Sequence, residues 1–318
     1  MTPPRPVATT PDAPADDARL VRSALGWRRV RENAIVWSLF GAASVATLAT
    51  FAIAYTLISN GWDFFATVSL REFLLGTEWA PDFPPPRFGS LPLIKGTFQI
   101  AIGAIVVGLP LGVGSALYVS EFASQRMRSI LKPTIEILAG IPSIVFGLVA
   151  LFILSPIIRD LFPGTGVFNA ASASIALGVM VVPIIASISE DALRAVPVEL
   201  REASLALGAT RWETTATVVL PAAKSGVTAS LILGFSRAIG ETMAVTLAAG
   251  LVTNLSWNYL EPTATITAFI ANRATGDLAP GTAQFMAIFA LGLVLFLITF
   301  VINIIAEFSL ARQRRKFA

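Results

Sequence analysis

Long stretches without a charged residue alternate along this chain with short segments in which polar residues collect. A helix needs about 20 consecutive, mainly apolar residues to cross the hydrocarbon core of a membrane. The stretches therefore predict six transmembrane helices, although the fourth begins in a turn-forming Pro-Gly-Thr-Gly loop. They lie at 34–60, 96–120, 137–158, 161–189, 225–250 and 279–306.

Composition strengthens this interpretation and excludes several kinds of chemistry. Hydrophobic residues make up 55% of the chain, charged residues 14%, and the mean hydropathy is +0.73. Soluble domains carry about 25% charged residues. The chain contains neither cysteine nor histidine, which excludes disulfides, thiol nucleophiles, Cys/His metal sites and imidazole catalysis. We therefore expect a membrane protein that is not an enzyme.

The distribution of Lys and Arg predicts which side of the membrane each loop occupies. Seventeen of the 23 basic residues fall before the first span, in the loops after spans two and four, and behind the last span, whereas five fall in the remaining loops. An excess of Lys and Arg marks the cytoplasmic side, so both termini are predicted to be cytoplasmic. The predicted division is a disordered cytoplasmic tail at 1–33, a first span with its external loop at 34–92, a core at 93–307 and a basic cytoplasmic tail at 308–318.

Two of the loops are more than connections between spans. The external segment 61–92 contains two tryptophans and three consecutive prolines, and is too polar to cross the membrane. The cytoplasmic segment 190–224 is predicted to be a helix–turn–helix on the membrane surface. Gly208 suits the end of its first helix, and Thr210 with Glu213 forms a capping-box pattern for the second. Pro221 either ends that helix or begins the next span.

Arg237 and Glu241 are the two charges within the fifth predicted span. Their spacing places them on one face of a helix, and each costs about 2.5–3.5 kcal/mol to insert in the membrane. Two interpretations stay open. Glu241 neutralises Arg237 and the pair fixes helix packing, or Arg237 lines a pathway for an oxyanion, whose geometry its guanidinium matches. In the second case Glu241 holds Arg237 in place and prevents it from trapping the anion.

Other polar and helix-breaking residues lie near the predicted spans. Glu136 is at the cytoplasmic mouth of the third span. It is either a solvated carboxylate near a helix end, or it acts as a gate or as a partner for a nearby arginine. Pro110, Pro142 and Pro183 fall inside spans two, three and four, where they are expected to kink the helices.

The segment before the fifth span resembles the EAA loop of ABC importer permeases. That pattern is Glu-Ala-Ala, three residues, Gly, nine residues, Ile, one residue and Leu-Pro. The chain matches it at Glu202, Ala203, Ser204, Gly208, Leu220 and Pro221, with Ser204 in place of the second Ala and a valine in place of Ile. In the family this loop docks in a groove of the ATPase subunit, so the resemblance implies that these residues couple the chain to an ATPase.

Three further stretches resemble phosphate permeases of the PstC type. They are FGSLPLIKGT at 88–97, IEILAGIPS at 135–143 and RAIGETMAV at 237–245. The resemblance implies an all-α integral membrane protein with the type I ABC importer permease fold, in a bacterial plasma membrane. It also implies three partners: a PstA-type second permease, an ATPase dimer and an external phosphate-binding protein.

The resemblance assigns no cofactor to the chain itself. The sequence lacks the G-x-x-x-x-G-K-[ST] phosphate loop, so ATP and Mg²⁺ are expected on the partner ATPase. Nucleic acid is not an expected partner, whereas membrane lipid is. The substrate-pathway residues are expected to be Arg237, Glu241 and Glu136. A sulfate or molybdate permease and a non-transporting membrane sensor or scaffold remain as alternatives.

Overall fold

The computed structural model describes residues 15–276 and 279–314, and the side chains of 31–276 and 279–308. The chain divides into two compact units, Met1–Thr56 and Leu57–Ala318. Helix α1 (Ala15–Phe65) runs across the boundary between them. Between residues 31 and 56 nearly all of its side chains are exposed, including Trp37 and Phe40. Such an apolar surface is what a helix presents to lipid.

Helix α1 begins earlier than the sequence analysis predicted. Residues 15–33 were placed in a disordered tail, but they are helical. The segment is rich in Ala, Leu and Arg, which favour helix, and it opens with two aspartates, which suit a helix N-terminus. The remainder of the predicted tail, residues 1–14, lies outside the described residues.

The segment after α1 contributes to an aromatic cluster. Helix α2 (Leu70–Leu75) and a two-residue antiparallel pair, β1 (Trp79–Ala80) with β2 (Arg87–Phe88), follow α1. Ser69 caps α2 by accepting a hydrogen bond from the Glu72 N–H. The cluster buries a set of rings in edge-to-face contacts. Its members are Phe64, Phe73, Trp79, Phe88 and Phe269.

Two long helices form the centre of the second unit. They are α3 (Leu91–Leu117), which continues as a π-helical segment (Tyr118–Phe122), and α7 (Ala170–Arg194). A methyl group built on Gly108 would lie 2.6 Å from Val181 Cγ2 and 2.7 Å from the carbonyl oxygen of Gly178. Small residues thus let the two backbones come together, as is common between membrane helices.

The predicted third span, 137–158, is not one continuous helix, because residues 140–142 interrupt it. Helix α4 (Gln125–Ala139) ends at Gly140, and α5 (Ser143–Val149), a π-helical segment (Ala150–Leu154) and α6 (Ser155–Leu161) follow. Pro142 is the residue before α5, so the prediction that it kinks the interior of a span is wrong. Proline lacks an N–H, and the start of a helix is where that loss is cheapest. Pro110 and Pro183 do lie inside α3 and α7, as predicted.

The remaining elements complete the second unit. Asn169 caps α7, which confirms that the predicted span 161–189 starts in a loop. The remaining elements are α8 (Val198–Ala206), α9 (Arg211–Thr214), a π-helical segment (Thr215–Val219), α10 (Leu220–Ala222), α11 (Lys224–Ile239), α12 (Met243–Ala248), α13 (Ile266–Ala274) and α14 (Ala283–Arg314).

The described residues contain five helices that are long and apolar enough to span a membrane, and a sixth candidate. The five are Arg31–Phe65, Leu91–Phe122, Ser143–Leu161, Ala170–Arg194 and Ala283–Phe308. The sixth is a pair of helices, Arg211–Ala222 and Lys224–Ile239, bent by 70°. The second member has 16 residues, fewer than the about 20 that a crossing needs, so the bent pair as a whole counts as the sixth span. The predicted count of six spans agrees with this description.

Candidate functional site

Arg237 lies near the end of α11, with its side chain exposed. Two residues close to it on the same helix, Gly234 and Ala238, are buried. No hydrogen bond or ion pair joins the Arg237 guanidinium to another described residue. The adjacent Ser236 hydroxyl donates to Asn303 Oδ1 on α14, at 3.1 Å, which holds this turn of α11. The exposed arginine is therefore presented from a fixed helix.

Glu241 does not share a helix face with Arg237, so that prediction is wrong. Helix α11 ends at Ile239, residues 240–242 are not helical, and α12 starts at Met243. The Glu241 carboxylate is buried and accepts a hydrogen bond from the Ala244 N–H at 3.3 Å. The backbone carbonyl of Glu241 accepts a hydrogen bond from the Thr267 hydroxyl at 2.7 Å. Glu241 thus caps the first turn of α12, and no described ion pair joins it to Arg237.

The segment 190–224 forms the helix–turn–helix that the sequence predicted. Helix α8 ends before Gly208, whose φ of 91° is the left-handed conformation that glycine adopts at low cost. Thr210 and Glu213 form a complete capping box at the start of α9. The backbone N–H and the hydroxyl of Thr210 both donate to the Glu213 carboxylate, and these bonds lower the pKa of that carboxyl.

The residues of the EAA-like pattern divide into an exposed and a half-buried set. Glu202, Ala203, Gly208 and Pro221 are exposed, whereas Ser204 and Leu220 are half-buried. The Ser204 hydroxyl bonds to the Thr214 hydroxyl at 2.9 Å, which ties α8 to α9. Large apolar side chains extend the exposed surface of the helix–turn–helix. They are Val198, Leu200, Leu205, Leu207 and Trp212. The surface combines small and apolar residues, as a surface that docks in a groove requires.

An ion pair joins α8 to the far end of α3. Arg201 Nη2 lies 3.1 Å from Glu121 Oε1 and donates to the Leu193 carbonyl at 2.7 Å. Glu121 belongs to the π-helical segment Tyr118–Phe122, and the Trp212 ring contacts the Phe122 ring of the same segment. The helix–turn–helix is therefore attached to the end of α3 by a charge pair and an aromatic contact. The sequence analysis did not identify this connection.

A second group of charges lies beside that connection. Glu190 is 5% exposed and pairs with Arg194 and Lys132, the latter at 3.8 Å. Glu136 lies one turn further along α4 than Lys132, with an exposed side chain, and is in none of the described ion pairs. The suggestion that Glu136 pairs with a nearby arginine is thus not realised in this structure, whereas Glu190, which the sequence analysis did not single out, forms two pairs.

Lys95 is a further buried charge that the sequence analysis counted only as an external basic residue. Its side chain near the start of α3 is 6% exposed. Lys95 Nζ lies 3.0 Å from Gln99 Oε1, 3.0 Å from Asn254 Oδ1, 2.6 Å from the Ser256 carbonyl and 3.4 Å from Thr263 Oγ1. Gln99 is one helical turn away, whereas the other three oxygens come from residues 159 to 168 positions further along the chain, so only the fold could reveal the complete cluster.

Comparison with known families and proteins adds to this description. Residues 108–315 match the family described as "Binding-protein-dependent transport system inner membrane component". The chain is 36% identical to the "Probable ABC transporter permease protein YqgH" of Bacillus subtilis, over 78% of this chain and 80% of the relative. It is also 36% identical to the "Phosphate transport system permease protein PstC" of Xylella fastidiosa, over 85% of this chain and 90% of the relative.

A solved structure shares the fold. A bacterial ABC transporter that imports the acidic polysaccharide alginate matches 90% of this chain and 98% of its own chain, with a TM-score of 0.61 and 15% identity. At that identity the match concerns the fold alone. It agrees with the all-α, type I importer permease fold that the sequence predicted.

Proposed function

Since the chain belongs to the family of binding-protein-dependent transport system inner membrane components, the permeases of ABC importers, we propose that it moves inorganic phosphate into the cell by alternating access. The observation that carries the choice of phosphate is the 36% identity to the Xylella fastidiosa phosphate permease along 85% of this chain. The chain's own residues add an exposed arginine on α11, in the middle of the predicted fifth span, next to a break in the helix.

Arg237 is the residue that we place on the anion pathway. A charged side chain on a membrane helix usually faces a partner or a water-filled cavity, and Arg237 has no partner among the described residues. A second permease of the PstA type would cover this face of α11 and form the pathway with it. The guanidinium supplies forked donors that fit a tetrahedral oxyanion.

The helix–turn–helix is the surface that we assign to the ATPase. Its large apolar side chains from Val198 to Trp212 are exposed, as are the small residues Ala203 and Gly208. The excess of Lys and Arg in this loop and at both termini supports a cytoplasmic location for all three. ATP and Mg²⁺ would bind to the ATPase dimer. An external phosphate-binding protein would dock on the opposite side, on segments 61–92 and 257–281.

Reconstitution tests this function directly. The chain is purified with its second permease and its ATPase, and placed in liposomes with the external binding protein. We expect labelled phosphate to cross only when ATP is hydrolysed, and an excess of unlabelled sulfate or molybdate to leave its rate unchanged. Competition by sulfate would assign a different anion, and flux without ATP would overturn the importer mechanism.

A further inference from the structure

A second basic site lies on the same side of the molecule as the helix–turn–helix. A cavity of about 690 Å³ opens between the first turns of α4 and the end of α7. Four basic side chains line it, together with one acidic side chain. They are Arg126, Arg128, Lys132, Arg194 and Glu136. Of these five residues, only Glu136 was among the residues that the sequence analysis expected on the substrate pathway.

The charges around the cavity leave an excess of positive charge. Lys132 and Arg194 share the single carboxylate of Glu190. Arg126 is in none of the ion pairs that the described residues form, and Glu136, which faces the same cavity, is likewise unpaired. Two carboxylates therefore oppose four cations. A concave site with this balance attracts anions.

Arg128 gives the site a fixed geometry. Its Nε donates to the Val119 carbonyl at 3.0 Å, and its Nη2 donates to the Val119 and Ser120 carbonyls at 2.9 and 2.8 Å. All three bonds go to neutral acceptors, so they hold the guanidinium without neutralising it. Its Nη1 group makes no hydrogen bond to the described residues and remains free to donate. Arg128 is also half-buried, unlike an ordinary surface arginine.

We propose that this cavity binds a phosphate group, with Arg128 as the fixed donor and Arg126 as the second cation. The proposal rests on the proposed function in one respect: inorganic phosphate that the transporter releases on the side of the helix–turn–helix would reach the site. The phosphate of an anionic lipid headgroup presents the same oxygens and charge. In both cases the guanidinium binds the oxyanion through charge-assisted hydrogen bonds.

Occupation of the site would reach the helix–turn–helix through one short segment. Arg128 is anchored to the Val119 and Ser120 carbonyls. The next residue, Glu121, pairs with Arg201 on α8. The π-helical segment Tyr118–Phe122 thus holds both Arg128, which lines the cavity, and α8. We expect a bound phosphate group to change ATP hydrolysis by the assembled complex as well as to bind.

Binding to the complete complex tests the proposal. The complex is placed in nanodiscs of phosphatidylcholine without the external binding protein, and every sample carries Arg237→Gln so that the proposed pathway does not contribute. Labelled inorganic phosphate is titrated by equilibrium dialysis. We expect Arg126→Glu and Arg128→Gln each to weaken binding at least about tenfold, the loss of one good charge-assisted contact, whereas Arg159→Gln, an exposed arginine on α6, leaves it unchanged.

A second arm separates the two sources of the phosphate group. The same variants are placed in nanodiscs that contain phosphatidylglycerol, and retained lipid is measured by native mass spectrometry. If lipid retention depends on Arg126 and Arg128, and inorganic phosphate no longer binds in the nanodiscs that contain phosphatidylglycerol, the lipid headgroup is the ligand of the site. Arg126 makes no described ion pair, so Arg126→Glu is expected to fold normally, and melting of both variants checks this. Unchanged binding in both arms for Arg126→Glu and Arg128→Gln would overturn the proposal, whatever the uptake assay shows.

Discussion

Lys95 on α3 and Arg237 on α11 are two basic residues on helices assigned to the membrane, and their surroundings differ. Lys95 is buried, and oxygens from Gln99, Asn254, Ser256 and Thr263 surround its ammonium group. Arg237 is exposed and makes no described contact of that kind. Hydrogen bonds offset the free-energy cost of burying a charge, and removing the charged partner leaves the buried acceptors unpaired. An exposed charge on an apolar helix requires something outside the chain, such as a partner, water or an anion.

The largest effect is expected at Arg237. Arg237→Gln keeps the length and polarity of the side chain but removes its charge, so we expect phosphate uptake to fall by about tenfold or more while the complex assembles normally. Uptake is measured in proteoliposomes and normalised to the amount of complex. Arg237→Lys is the matched control, because it keeps the positive charge but lacks the forked N–H donors of the guanidinium. If Arg237→Gln takes up phosphate at the wild-type rate, Arg237 has a structural role like that of Lys95 and does not act on the anion.

Gly208 extends the contrast to a second exposed region. A side chain built there meets no atom within 4 Å, but the φ of 91° disfavours most residues. Gly208→Asn is the control, because asparagine tolerates this conformation. We expect Gly208→Trp to reduce co-purification of the ATPase and phosphate-stimulated ATP hydrolysis by about tenfold, since the ring blocks docking. Gly208→Asn should keep both. Equal loss in the two variants would attribute the effect to the backbone and remove the docking argument.

Lys95 is expected to respond in stability rather than in transport. Lys95→Met keeps the apolar stem and leaves buried oxygens without a donor, at a cost of about 1–3 kcal/mol for each. We therefore expect a lower melting temperature and less protein in the membrane. The uptake of each surviving complex should stay near that of the wild type. Normal melting with lost uptake would show that Lys95 acts on the anion, and would remove the distinction from Arg237.

Glu241 is expected to give the smallest effect. Glu241→Gln retains an oxygen that accepts from the Ala244 N–H, so we expect uptake to fall by about two- to threefold at most. A double variant with Arg237→Gln should show the product of the two separate losses in uptake, because no described contact joins the two side chains. A rescue of Arg237→Gln by Glu241→Gln would instead reveal that the two charges interact in another state of the transport cycle.

The sequence predicted what depends on local pattern and missed what depends on distant contacts. The apolar spans, the capping box at Thr210 and the turn at Gly208 follow from spacing, and the structure contains all of them. The pairing of Arg237 with Glu241 failed because Gly240 ends one helix and Glu241 caps the next, so a spacing of four did not place them on one face. Three of the four oxygens around Lys95 and the partner of Arg201 come from distant segments, which no local pattern reveals.

The close approach of α3 and α7 limits how the molecule can change shape. With Gly108 packed directly against the Gly178 backbone, a shift of one helix along the other would drive larger neighbouring side chains into a carbonyl. We therefore expect the two helices to move as one rigid body. Internal freedom is then confined to the interruptions of the other spans, at residues 140–142, at Ala223 and at residues 240–242. A chain with six spans would thus have fewer independent moving parts than it has helices, and distance measurements between labels on α3 and α7 should stay constant through the transport cycle.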